Sequence, residues 1–177
     1  MKYLIRSGHS QHFWVNLGGF QLCWWCAILL ADSSLMVLAT LLILHLLFHR
    51  HPVHETVVLL SCGLTGFAVD LLLTATGVFR FGISAFPPLW LLFLWFCFSA
   101  TLRQSMTYFR GRWVLAAICG GIFGSLTYIA AGSFGVVAFG LPLIQTFLLL
   151  MLVWMVLFPL LLWLSGQQFS EQFSDAT

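Results

Sequence analysis

Charged residues are few and clustered along the chain, and the stretches between them are apolar runs long enough to cross a bilayer. Between Arg6 and Asp32 lie 25 uncharged residues, and between Asp32 and Arg50 lie 17. Glu55 and Arg80 enclose 24 residues broken only by Asp70; Arg80 and Arg103 enclose 22. After Arg112 no charge appears for 58 residues, until Glu171. A membrane helix needs about 20 mostly apolar residues, within a range of about 17–25. Each of the first four runs therefore predicts one span. The last is divided by the glycine-rich stretch 132–140 and Pro142, and predicts two. The expected spans are 13–31, 33–48, 57–77, 88–109, 113–131 and 143–164. Pro87-Pro88 marks the start of the fourth, since proline is tolerated in a first helical turn.

The second span is the shortest, and the distribution of positive charge argues for it. With six spans, Lys2, Arg6, Arg50, Arg103, Arg110 and Arg112 all fall on one side and only Arg80 on the other. Without the second span, three positive residues lie inside and four outside. Cytoplasmic loops carry the excess of Lys and Arg, so the expected fold is all-α: a compact bundle of six transmembrane helices with both termini cytoplasmic. Trp90, Trp113 and Trp163 fall near span ends, where aromatic belts form. The basic start is followed by too long an apolar run, with no small-residue cleavage site, for a removable signal peptide. One integral-membrane domain over 1–177 is expected, with no internal repeat.

Composition supports the same class. Of 177 residues, 61% are apolar and 7% charged, against about 45–50% and about 25% in soluble domains. That leaves too little charge to cover a soluble surface, and a net charge of +2 makes no basic face for nucleic acid. The expected partners are membrane lipids and a small hydrophobic ligand.

Ionisable side chains inside a span are costly and so carry the most information. Asp70 and Arg103 are the two inside the expected spans. Together with Gln21, Gln104, Ser105 and Tyr128 they form the candidate buried polar site. Each Cα–Cβ bond tilts toward its helix N-terminus, which leans Asp70 and Arg103 toward each other. Gln21 lies between them in depth, so a continuous line Asp70–Gln21–Arg103 is expected, with Arg80 as the alternative partner for Asp70.

Other clusters have plainer explanations. Cys23 and Cys26 have dithiol spacing, but both sit mid-span, away from the electropositive setting that activates a thiol; they are expected as free thiols. His45, His49, His51 and His54 crowd the cytoplasmic end of the second span. They are expected at the interface, without metal and without any cofactor, because no second span supplies matching ligands. Gly120, Gly121 and Gly124 have the spacing that lets a neighbouring helix approach closely.

Several of these residues carry a family resemblance. Gly19-Phe20-Gln21-Leu22-Cys23-Trp24, Asp70-Leu71, Pro88-Leu89-Trp90-Leu91, Trp95, Thr101-Leu102 and Ser105 contribute to it. So does the run from Gly121 through Gly124-Ser125-Leu126-Thr127-Tyr128 to Gly132. Over roughly residues 13–140 the chain resembles a family of uncharacterised bacterial inner-membrane proteins known only as a domain of unknown function. It departs at Ser125, where that family often has proline. The resemblance implies a small multi-span protein of the bacterial inner membrane, without assigned chemistry and associated with envelope-lipid modification.

The expected function is the binding or handling of a lipid or other hydrophobic molecule within the bilayer. It is motivated by the aromatic content and the internal polar layer, and leaves open whether the protein is an enzyme. One alternative is the substrate-binding subunit of a vitamin-type importer. The other is a metal-dependent lipid-modifying enzyme built on the His45–His54 cluster.

Overall fold

The structure is a computed structural model; it describes residues 2–174, and side chains over 13–167. The side chains of Lys2, Arg6 and Glu171 lie outside the described residues. Among the described residues seven α-helices follow one another: α1 (Lys2–Leu30), α2 (Leu35–Phe48), α3 (Pro52–Ala75), α4 (Leu89–Ser99), α5 (Trp113–Cys119), α6 (Ser125–Ser133) and α7 (Leu143–Ser174). α5 and α6 form one continuous helix through a π-helical segment, Gly120–Gly124.

Among the described residues, four helical runs are long and apolar enough to cross a membrane: Phe13–Phe48, Pro52–Ala75, Trp113–Ser133 and Leu143–Gln167. The chain is an all-α, multi-pass membrane protein. The first run bends sharply. A 3₁₀ turn at Ala31–Ser34 separates α1 from α2, and Ala31 takes a φ of +44°, a conformation that costs a residue with a Cβ. The Ser34 hydroxyl donates to the Ala31 carbonyl at 2.6 Å and holds the turn. α1 then packs on α2, and both pack on α4.

The expected helix over 88–109 is only half formed. α4 has 11 residues, about 16 Å of rise against a core about 30 Å thick. Beyond Ser99 the chain runs through turns into a 3₁₀ segment, Ser105–Phe109. Hydroxyls compete for the helix's own carbonyls: Ser99 donates to the Trp95 carbonyl and Thr101 to that of Phe98. Asn16 of α1 replaces two of the lost partners. Its amide nitrogen donates to the Ala100 carbonyl, and its oxygen accepts from the Ser105 N–H and hydroxyl. Irregular backbone at membrane depth is tolerated only inside protein, and Ala100, Thr101, Leu102 and Ser105 are buried.

α3 joins the two halves of the molecule, with α4 on one side and α7 on the other. Lipid is as apolar as the side chains, so close packing does much of the holding. Gly63 and Gly66 let Phe96 and Trp95 of α4 lie against the α3 backbone, where a Cβ would overlap either ring. Gly120, Gly121 and Gly124 do the same for Phe158, Met155 and Trp154 of α7. At one end, a two-stranded antiparallel ladder ties the loop after α3 to the loop before α7: β1 (Phe79–Arg80) pairs with β2 (Ala138–Phe139). Gly140 there is pressed onto the Gly77 carbonyl, which leaves no room for a Cβ.

Candidate functional site

Asp70 sits on α3 one turn beyond Gly66 and is 1% exposed. Because Gly66 has no side chain, the Trp95 indole lies flat on α3, and its Nε1–H donates to Asp70 Oδ2 at 2.6 Å. From the opposite side the Tyr128 hydroxyl of α6 reaches both carboxylate oxygens at 2.7 Å. Phe79 stacks on the Tyr128 ring with centroids 4.9 Å apart and planes 13° apart, which fixes the ring's direction. One carboxylate thus ties the α4 wall to the α6 wall.

Between those walls lies a cavity of about 730 Å³. α1 contributes Leu17, Phe20, Gln21, Trp24 and Ile28, a stripe at helical spacing. α4 contributes Trp90, Leu91, Leu94, Trp95 and Phe98, and the α5–α6 helix contributes Cys119, Gly120, Phe123, Gly124, Thr127 and Tyr128, among others. Trp154 and Phe158 of α7 form its floor, with Trp154 stacked on Trp95 at 5.5 Å and 13°. Phe81 and Val137, beside the strand ladder, line it at that end. The lining residues Gln21, Phe123 and Leu126 are themselves exposed, so the cavity opens outward between α1 and the α5–α6 helix. The π-helical segment forms part of the wall; such segments recur at functional sites. The lining is aromatic and apolar, and its best-placed polar atoms, the Trp95 N–H and the Tyr128 hydroxyl, already bond to Asp70. That is the profile of a site for a hydrophobic molecule.

The expected line Asp70–Gln21–Arg103 is not formed. Asp70 takes Trp95 and Tyr128, Gln21 is exposed at the cavity mouth, and Arg103 pairs with Glu55. Arg80 lies exposed on β1 while Asp70 is buried. The reason is the start of α3. The helix begins at Pro52, which brings Glu55 into its first turn and buries it completely. Fifteen residues of α3 then separate Glu55 from Asp70, about 22 Å, and Arg103 lies at the Glu55 end.

Glu55 gathers the histidine cluster as well. Its Oε1 lies 3.0 Å from His45 Nε2; its Oε2 lies 3.5 Å from His49 Nε2 and 3.8 Å from Arg103. His45 and His49 are half-buried, whereas His51 and His54 are exposed. Among the described residues, no group of three or more His, Cys, Asp or Glu is arranged to hold a metal. Ser105 belongs to the Asn16 junction and Gln104 to the irregular segment beside it; neither lines the cavity, although Met106 and Phe109 of the same segment do. Cys23, Cys26, Cys62, Cys97 and Cys119 are all free thiols. Trp113, at the start of α5, and Trp163, within α7, are about half exposed, but Trp90, expected in an interfacial belt, is buried in the cavity wall.

Glu55, Trp95, Trp154 and Asn16 are the site and junction residues that the charge-gap analysis passes over. Gly63 and Gly66, two turns and one turn before Asp70, are the sequence signal that an aromatic ring lies against α3 there.

A multi-pass helical protein with an aromatic cavity between two helix pairs, tied together by one buried carboxylate, is the class these features define. Within it, the chain belongs to the family described as "Protein of unknown function (DUF2878)", which residues 13–160 match. No curated protein and no solved structure matches the chain.

Proposed function

We propose that the protein binds a lipid or other hydrophobic molecule taken from the bilayer into the cavity between α1 and the α5–α6 helix. The observation that carries this reading is the aromatic cavity that opens laterally between two helices, with the polar atoms of its Trp95 and Tyr128 walls already bonded to Asp70. A water-soluble ligand would need unengaged polar groups in the lining, and a site for hydrocarbon does not.

The membrane we infer is the bacterial inner membrane. We further propose six crossings, with α1 and α2 as separate spans and α4 with its irregular extension as another, and both termini in the cytoplasm. The six-to-one split of positive charge and the packing of α1 against α2 support this topology. Reporter fusions after Phe48 and after Thr177 should both report cytoplasm; a periplasmic signal from either would overturn it.

The ligand reading is tested by organic extraction of the purified protein and mass spectrometry of the extract. A hydrophobic compound near one equivalent, enriched over bulk lipid, is the expected result. An extract matching bulk lipid and detergent alone would count against it.

A further inference from the structure

A second, smaller groove lies at the opposite end of the molecule from the strand ladder, where the start of α5 meets residues 162–167 of α7. A groove of about 250 Å³ is lined there by Arg110, Gly111, Trp113, Trp163 and Gln167. Arg110 is held from below: its Nη2 donates to the hydroxyl of Ser165, a fully buried residue, at 3.2 Å, and its Nε is buried with no hydrogen-bond partner. The guanidinium is therefore anchored rather than swinging in solvent. Trp113 and Trp163 stand about half exposed beside it, as indoles do at the boundary between headgroups and hydrocarbon.

The charge here is unbalanced. Arg103, Arg110 and Arg112 gather at this end, and the one buried acid there among the described residues, Glu55, is shared by His45, His49 and Arg103. The Arg112 guanidinium lies 4.0 Å above the Tyr108 ring, a contact that brings no negative charge to this end. Burial, and then the neighbouring Arg103 charge, push Arg110 below its ordinary value. An anion in the groove would relieve both effects. Arg presents a planar fork of donors matched to phosphate, and basic residues at a membrane surface attract anionic lipid.

We propose that this groove holds the phosphate of an anionic phospholipid, with Arg110 as the phosphate donor and Trp113 and Trp163 flanking the start of the acyl chains. The occupant is a lipid rather than free phosphate because the two indoles supply apolar surface that a free ion has no use for. The site is separate from the aromatic cavity and shares no lining residue with it.

The test is native mass spectrometry of the full chain in detergent, titrated with dioleoylphosphatidylglycerol. Wild type should retain one lipid. Arg110→Gln should weaken that adduct by about fivefold, the value of one charge near an anionic surface. Arg50→Gln, a basic residue outside the groove, should leave it unchanged. Ser165→Ala removes the anchor but keeps the charge, so it should bind more tightly than Arg110→Gln, and it separates a charge effect from a folding defect. Equal losses in Arg110→Gln and Arg50→Gln would reduce the site to diffuse attraction and overturn the proposal. So would an unchanged Arg110→Gln adduct, or displacement of the lipid by millimolar inorganic phosphate.

Discussion

The Tyr128 hydroxyl lies 2.7 Å from both carboxylate oxygens of Asp70, and that contact joins helices α3 and α6 across one edge of the cavity. With the Trp95 indole on Oδ2 at 2.6 Å, the carboxylate bonds to both walls of the cavity without a cation. A double-mutant cycle with Asp70→Asn and Tyr128→Phe, read by unfolding in detergent, should show coupling of about 1 kcal/mol or more. Additive effects would mean that the two side chains do not act on each other.

Glu55 is the other buried acid of α3, and unlike Asp70 it lies beside cationic and imidazole side chains. Glu55→Ala leaves Arg103 without its carboxylate in a buried setting, so a loss of about 3–5 kcal/mol is expected. Replacing Glu55 and Arg103 together by Gln and Met should cost less than Glu55→Ala alone. Equal or greater loss in the double variant would contradict the pairing.

Close packing of the α5–α6 helix on α7 depends on glycine. A Cβ at Gly124 would overlap the Trp154 ring, whereas a Cβ at Gly19 meets nothing within 4 Å. Gly124→Ala should therefore destabilise by about 1–3 kcal/mol, and Gly19→Ala should be neutral or mildly stabilising. Matching thermal unfolding curves for the two variants would refute the packing.

The gaps between charges are enough to find the apolar runs and to mark a break in the first of them near Asp32, where the structure has the 3₁₀ turn. They are not enough to find the end of α4. Nothing in the apolar run 81–102 announces that hydroxyls at Ser99 and Thr101 will take the helix's carbonyls, or that Asn16, far away in sequence, will replace them. Asp70 and Tyr128 both stand out in the sequence as polar residues inside spans, and the structure joins them; that they touch each other, and that Trp95 is the second partner, does not stand out there. An indole and a phenol are apolar by composition, and their donors count only once packing aims them at the acid. Glu55 was hidden for the opposite reason: it looks like loop charge until Pro52 starts the helix and carries it inside.

The central claim is that the aromatic cavity holds a hydrophobic molecule, and filling the cavity tests it most directly. Leu17→Trp and Ala130→Trp place bulk in its two walls and leave Asp70, Trp95 and Tyr128 in place. Each variant, purified beside wild type and checked to be monodisperse, would be extracted and its small molecules quantified by mass spectrometry. The account predicts a hydrophobic compound near one equivalent in wild type and its loss from both folded variants, with the phosphatidylglycerol adduct at Arg110 retained. The same compound carried undiminished by both filled variants would contradict it.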